Sequence, residues 1–242
     1  MGKGRGARVI AIDGPSGSGK STVSRAVAKA LGAAYLDTGA MYRGLTWWCL
    51  DRGVDVTDVS AVAQLCAGMP LELGLDPADP WVRVGDRDVT TAIRQDRVTG
   101  AVSAIATNLE VRALMRESQR ELIDRAVRHT GQVVAEGRDI TTVVAPDADV
   151  RILLTASEAA RLTRRATENH GTADATTMAA AHRHVVERDR ADATVAEFHT
   201  AAEGVVLLDT SELGLDETVA AVLALVHRAE PPYAEEGDRG HR

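Results

Sequence analysis

The chain has 242 residues, 45% of them hydrophobic and 26% charged, and a formal net charge of -7. A chain of this size buries one sizeable core, with at most a small appended lobe, and its acidic balance disfavours a nucleic-acid binder, which needs a basic face. No apolar run approaches the roughly 18 residues that span a bilayer, and the start reaches Asp13 before a signal-peptide core can form, so a cytoplasmic protein without a membrane partner is expected.

In chain order, "RVIAI" (Arg8 to Ile12) reads as a short strand running into a glycine turn. "KSTVSRAVAKALG" then has helical spacing through Val23, Val27 and Leu31, with Gly32 as its stop. "AAYL" is a second strand, and "DTGAMYRGLTWWCLDRG" is a helix ended by Gly53 that carries Trp47 and Trp48 as core residues. Cys49 and Cys66 lack metal-ligand spacing and read as small hydrophobes. From Met69 to Val89 short alternating pieces among Pro, Gly and Asp predict an inserted antiparallel sheet. A long amphipathic helix, "NLEVRALMRESQRELIDRAVRH", follows. Then come strand-like "GQVVAEGRDITTVV" and "DADVRILLTA", a helical "SEAARLTRRATENHG", a helix from Thr177 to Arg190, and "GVVLLDTSELGLDETVAAVLALVHRA". Strands alternating with helices predict an α/β fold with a mainly parallel sheet. Residues 230–242 are polar and Pro-initiated, and are expected to form a mobile tail.

Gly14-Pro15-Ser16-Gly17-Ser18-Gly19-Lys20-Ser21 fits G-x-x-x-x-G-K-[ST] in full, between a predicted strand and a predicted helix, with Thr22 following. Such a phosphate-binding loop (P-loop) converges backbone N–H groups and a helix N-terminus on donor phosphates. Lys20 adds a point charge, and Ser21 offers a hydroxyl to a Mg²⁺ ion bridging the phosphates. Lys20 is also one of only three lysines, with Lys3 and Lys29. The third glycine of a dinucleotide fingerprint would fall at Thr22, so that reading fails. The chain has no N-K-x-D and no D-x-x-G, which disfavours a switch GTPase, while motor ATPases generally use larger bodies.

The loop fixes nucleotide binding but does not name the acceptor. "DTGAMYR" sets a hydroxyl, a glycine and Arg43 at a helix start, which suits an anion and equally reads as a cap with a surface arginine. "AEGRDITT" puts Arg138 and Asp139 at a strand's carboxyl end, where ligands of open α/β sheets bind. Arg161, Arg164 and Arg165 share one helix face, and "ERDRAD" adds Arg188, Arg190 and Asp192. Each group alone reads as a solvated face; together, beside a complete P-loop, they suit phosphoryl transfer.

"IDGPSGSGKST", "YLDTGAMYR", "EGRD" before "TTVV", and "ERDRAD", in this order, resemble the bacterial cytidylate kinases, over essentially Arg8 to Ala229. The resemblance implies a nucleoside monophosphate kinase fold in a single domain over 1–229. Its core covers 8–37, 130–156 and 204–229, its acceptor lobe about 38–129 with the insert at 69–89, and its helical lid about 157–203. It implies that Thr38, Arg112 and Asp139 meet the cytosine, that Arg43 and Arg138 hold the acceptor phosphate, and that Ser103, Arg188 and Asp192 contact sugar or phosphate. Residues Gly14 to Thr22 with Arg161 and Arg165 are the implied ATP ligands, and Lys20, Arg138, Arg164 and Arg188 the implied catalytic cations. One position departs from the pattern: Val195 stands three residues after Asp192, where the family often has an arginine, so a base contact is missing or supplied by another residue. The expected activity is transfer from Mg-ATP to CMP or dCMP by a monomer. The rivals are a kinase for another acceptor, such as UMP or AMP, and a non-enzymatic nucleotide-binding regulator.

Overall fold

The computed structural model describes residues 8–229, so the tail expected at 230–242 lies outside the described residues. Along the chain run β1 (Arg8–Asp13), α1 (Lys20–Leu31), β2 (Ala34–Asp37), α2 (Thr38–Asp51), α3 (Val59–Ala67), β3 (Leu71–Leu73), β4 (Val82–Val84) and β5 (Arg87–Asp88). They are followed by α4 (Asp96–Ala106), α5 (Leu109–Thr130), β6 (Gln132–Gly137), β7 (Val150–Thr155), α6 (Glu158–His170), α7 (Ala175–His182), α8 (Arg188–Asp192), β8 (Val206–Asp209) and α9 (Leu215–Arg228). A π turn at Ile140–Val144 follows β6, and a second at Arg183–Glu187 joins α7 to α8.

β2, β6, β1, β7 and β8 form, in that order, one parallel five-stranded sheet. Strand alternation splits its side chains between two cores. Ile10 and Ile12 pack with Val23, Val27, Val222 and Val226 under α1 and α9. Ala11, Leu36, Val133 and Ala135 face Met41, Leu45, Met115 and Ile123 of α2 and α5. Each fully buried aliphatic side chain of this kind stabilises by about 1.5–3 kcal/mol. β3, β4 and β5 make a small antiparallel sheet, the predicted insert, which packs against Trp47 of α2.

The helix ends follow capping rules. Gly32, at φ 62, closes α1 with its N–H on the carbonyls of Ala28 and Lys29. The Asp37 carboxylate caps α2 by accepting from the Ala40 N–H at 2.9 Å. Helices α3 and α4, unassigned from sequence, are real: Asp58 caps α3 through the Ala61 N–H, and α4 buries Val98, Val102 and Ile105. The helix predicted from Thr177 starts at Ala175, because Asp174 accepts from the Thr176 and Thr177 N–H groups, and it is interrupted by the π turn.

Candidate active site

The carboxyl ends of β1, β2 and β6 meet where the order of the sheet turns back, and the glycine loop fills that notch. Gly19 precedes α1 at φ 86 with no side-chain cap, leaving the first N–H groups of the helix for an anion. Gly17 must be glycine twice over: its φ is +76, and a Cβ there would lie 2.6 Å from the Arg161 carbonyl.

Lys20 donates to the Pro15 carbonyl at 3.2 Å, curling back over the loop. Burial, then the Arg138 and Arg188 guanidiniums, push its pKa down, while Glu136 pulls it up. Ser21 Oγ donates to Glu136 Oε2 at 3.0 Å, and the Tyr35 hydroxyl donates to Glu136 Oε1 at 2.6 Å. Burial and then Asp37 hold the Glu136 carboxyl above its usual range. Glu136 was missed in the sequence, although the signal was there: it is an acid ending an apolar strand, and that strand is the parallel neighbour of the P-loop strand.

On the other side of the cleft, Thr38 Oγ1 donates to the Glu136 carbonyl at 2.7 Å. Gly137 permits this approach, since a Cβ there would lie 2.6 Å from that hydroxyl. Arg43 is buried, with Nη1 donating to the Ile93 carbonyl at 3.0 Å and to Thr99 Oγ1 at 2.9 Å. Burial and then Arg188 and Arg94 push its pKa down to about 9. The Arg112 guanidinium donates through Nη2 to Asp139 and through Nη1 to the Ala106 carbonyl. Burial raises the Asp139 carboxyl even so.

Arg138 joins the two sides. Its Nη1 donates to the Gly14 carbonyl at 2.7 Å and its Nη2 to Ser16 Oγ at 2.7 Å and Asp189 Oδ1 at 2.9 Å, while Asp192 Oδ2 lies 3.1 Å away. The guanidinium stacks over Phe198 at 4.4 Å. Asp189, also unforeseen, accepts from the Ser16 N–H at 2.9 Å and from Arg161. Burial pushes its carboxyl up, but Arg138 and the Ser16 N–H more than reverse this and leave it below the usual range. Arg188 lies against Asp192 at 3.5 Å, and burial followed by Arg138 lowers its pKa to about 10.

Ser16, Gly17, Gly19, Lys20, Ser21, Thr22, Thr38, Arg43, Arg112, Arg138, Asp139, Arg165, Arg188 and Asp192 therefore line one cleft. Gly14, Pro15 and Ser18 do not line it: the Gly14 and Pro15 carbonyls accept from Arg138 and Lys20, and Ser18 lines a separate hollow with Arg164. Ser103 does not line it, although Val102 and Ala106 of the same helix do. Arg161 sits behind the loop, donating to the Ser16 carbonyl at 2.9 Å. Arg164 faces the opposite side, donating to the Ser18 carbonyl at 3.3 Å, to Thr210 Oγ1 at 3.0 Å and to the Leu213 carbonyl at 3.2 Å. Of the three arginines predicted on one face of α6, only Arg165 points into the cleft. Val195, the position that departs from the expected pattern, does not line the cleft, whereas its neighbour Ala196 does.

The arrangement concentrates cations with depressed pKa values around a P-loop, a site built to be completed by anions. The sequence model of the family described as "Cytidylate kinase" matches residues 10–228. A cytidylate kinase of Rhodococcus jostii is 48% identical over 219 residues, covering 90% of this chain and 94% of that one. One from Streptomyces griseus is 44% identical over 223 residues, covering 92% and 94%. One from Nocardia farcinica is 46% identical over 213 residues, covering 87% and 90%. With a P-loop, an arginine-lined cleft and such relatives along nearly its whole length, the chain belongs to the cytidylate kinase family.

Proposed function

We propose that the protein transfers the terminal phosphoryl group of ATP to the phosphate of CMP or dCMP, yielding CDP or dCDP and ADP, within pyrimidine nucleotide metabolism. The observation that carries this reading is Arg138, which directly precedes Asp139 after β6 and whose guanidinium donates to the P-loop at the Gly14 carbonyl and Ser16 Oγ. A phosphate bound to it lies beside the donor phosphates, and the base of the same nucleotide then reaches the Arg112–Asp139 pair.

The core, acceptor lobe and lid follow the ranges given above, with the small antiparallel sheet in the lobe and α6 to α8 in the lid. The acceptor phosphate oxygen attacks in line, and the protein positions the reactants and neutralises charge without a covalent step. Lys20, Arg138, Arg165 and Arg188 surround the migrating group, and Arg43 holds the acceptor phosphate. Arg164 serves the donor from the other side: a hollow lined by Ser18, Gly19, Thr22, Arg164 and Leu213 adjoins the start of α1 and suits the nucleoside end of ATP. Arg161 holds the loop from behind.

Mg²⁺ is a hard cation that binds few protein oxygens directly, and Ser21 Oγ with the Glu136 carboxylate, 3.0 Å apart, is such an oxygen set. When bound, Mg²⁺ would neutralise charge on the donor phosphates. The same reading has the protein act on small molecules as a monomer. No helix among the described residues is long and apolar enough to cross a membrane, and a cytoplasmic location suits a consumer of ATP.

A coupled assay of ADP release with CMP, dCMP, UMP and AMP tests the reading. The cytosine nucleotides are expected to be turned over at least about a hundredfold more efficiently than AMP, since a site built on specific hydrogen bonds rejects a base that leaves them unpaired. Preference for UMP or AMP would assign another acceptor, and no ADP release with any of them would favour a binding protein.

A further inference from the structure

Asp13 ends β1 one residue before the P-loop and is 1% exposed, yet no step above uses it. Its carboxylate reaches across to the segment after β6. Oδ1 accepts from the Ile140 N–H at 2.9 Å, and Oδ2 accepts from the Thr141 N–H and the Thr141 hydroxyl, each at 2.7 Å. Those N–H groups open the π turn, where the backbone has no partner of its own. β1 and β6 are in register with Asp13 opposite Gly137, so the contact falls immediately beyond Arg138 and Asp139.

We propose that Asp13 is a positioning residue for acceptor recognition: by holding the N–H groups of Ile140 and Thr141, it sets the direction in which Arg138 and Asp139 leave β6. The proposal rests on the CMP kinase reading and deepens it. Arg138 and Asp139 lie between two fixed points, the paired end of β6 and the Asp13 clamp. A shift of either end moves the base-reading carboxylate and the phosphate-binding guanidinium together. Burial raises the Asp13 carboxyl above its ordinary value, and the contacts with Thr141 and Ile140 offset part of that rise. Only a carboxylate accepts on both oxygens. An asparagine must turn its NH₂ toward one of the three donors.

The test is steady-state kinetics of the full chain with CMP, UMP and ATP varied in turn, for wild type, Asp13→Asn, Thr141→Val and the double variant, with melting temperatures recorded alongside. Asp13→Asn is expected to raise KM for CMP by about tenfold or more and to narrow the CMP to UMP ratio of kcat/KM by a similar factor, with KM for ATP within about twofold. Thr141→Val removes one of the three donors and should move the same quantities in the same direction by about threefold. The double variant should be no worse than Asp13→Asn, because the two residues act as one unit. A residue that only stabilises the fold would lower the melting temperature without moving the CMP to UMP ratio. That unchanged ratio in folded Asp13→Asn, or in Thr141→Val should Asp13→Asn not fold, overturns the proposal, as does an equal rise of KM for ATP. Failure of wild type to phosphorylate CMP would instead overturn the functional reading beneath it.

Discussion

Lys20 shows what its proposed catalytic role asks of a single residue. Its ammonium is enclosed by the P-loop near Arg138 and Arg188, and its pKa falls from 10.5 to about 7 before any phosphate arrives. The unfolded chain therefore binds more protons at this site than the folded one across that window, so the stability contributed by Lys20 rises as pH climbs from about 7 toward 10.5. Lys20→Met should melt no lower than wild type, its advantage should be larger at pH 7 than at pH 9, and its turnover should drop by about a hundredfold or more. Thermal melts at the two pH values and one rate measurement check this; a lower melting temperature at pH 7 would contradict it. Asp139 is the complementary case. A carboxylate only accepts, so in its proposed role Asp139 favours the exocyclic amine of cytosine over the carbonyl of uracil. In Asp139→Asn the amide can present a donor, and the CMP to UMP ratio of kcat/KM should narrow by roughly tenfold or more. An unchanged ratio would show that Asp139 does not read the base.

Among the elements, helix α6 sends its three arginines in different directions. Arg165 meets the cleft, Arg161 supports the loop from behind, and Arg164 ties Ser18 to Thr210 and Leu213. Arg164→Ala should accordingly raise KM for ATP by about tenfold while leaving KM for CMP within about twofold. A rise confined to CMP would place Arg164 on the acceptor instead. The spacing of three and four correctly put these arginines on one helix, but a guanidinium's direction depends on what the helix packs against, which spacing does not encode. The P-loop, β1 and α1 were legible because motif, apolar run and glycine stop all agree within one short stretch. Glu136, Asp13 and Asp189 were not, because each acts across a contact distant in sequence: Ser21 to Glu136, Asp13 to Thr141, Ser16 to Asp189. Helices α3 and α4 escaped notice for a different reason. Both are short, at 9 and 11 residues, and both lean on burial against α5 and α2.

At the scale of the whole molecule, donor and acceptor sites share one framework. β1 delivers the P-loop and β6 delivers Glu136, Arg138 and Asp139, and the two strands are paired along their length. Helix α8, part of the proposed lid, reaches the same point through Asp189 on the Ser16 N–H and on Arg138. Phosphoryl transfer between two nucleotides demands this arrangement, since acceptor oxygen and donor phosphorus must meet in line while water is kept out. The most direct measurement is ³¹P NMR of the protein with Mg-ATP and CMP, followed over time. The account predicts CDP and ADP growing in equal amounts as CMP and ATP fall, with little inorganic phosphate. Phosphate released in place of CDP, or CMP left untouched while UMP or AMP is converted, would contradict it.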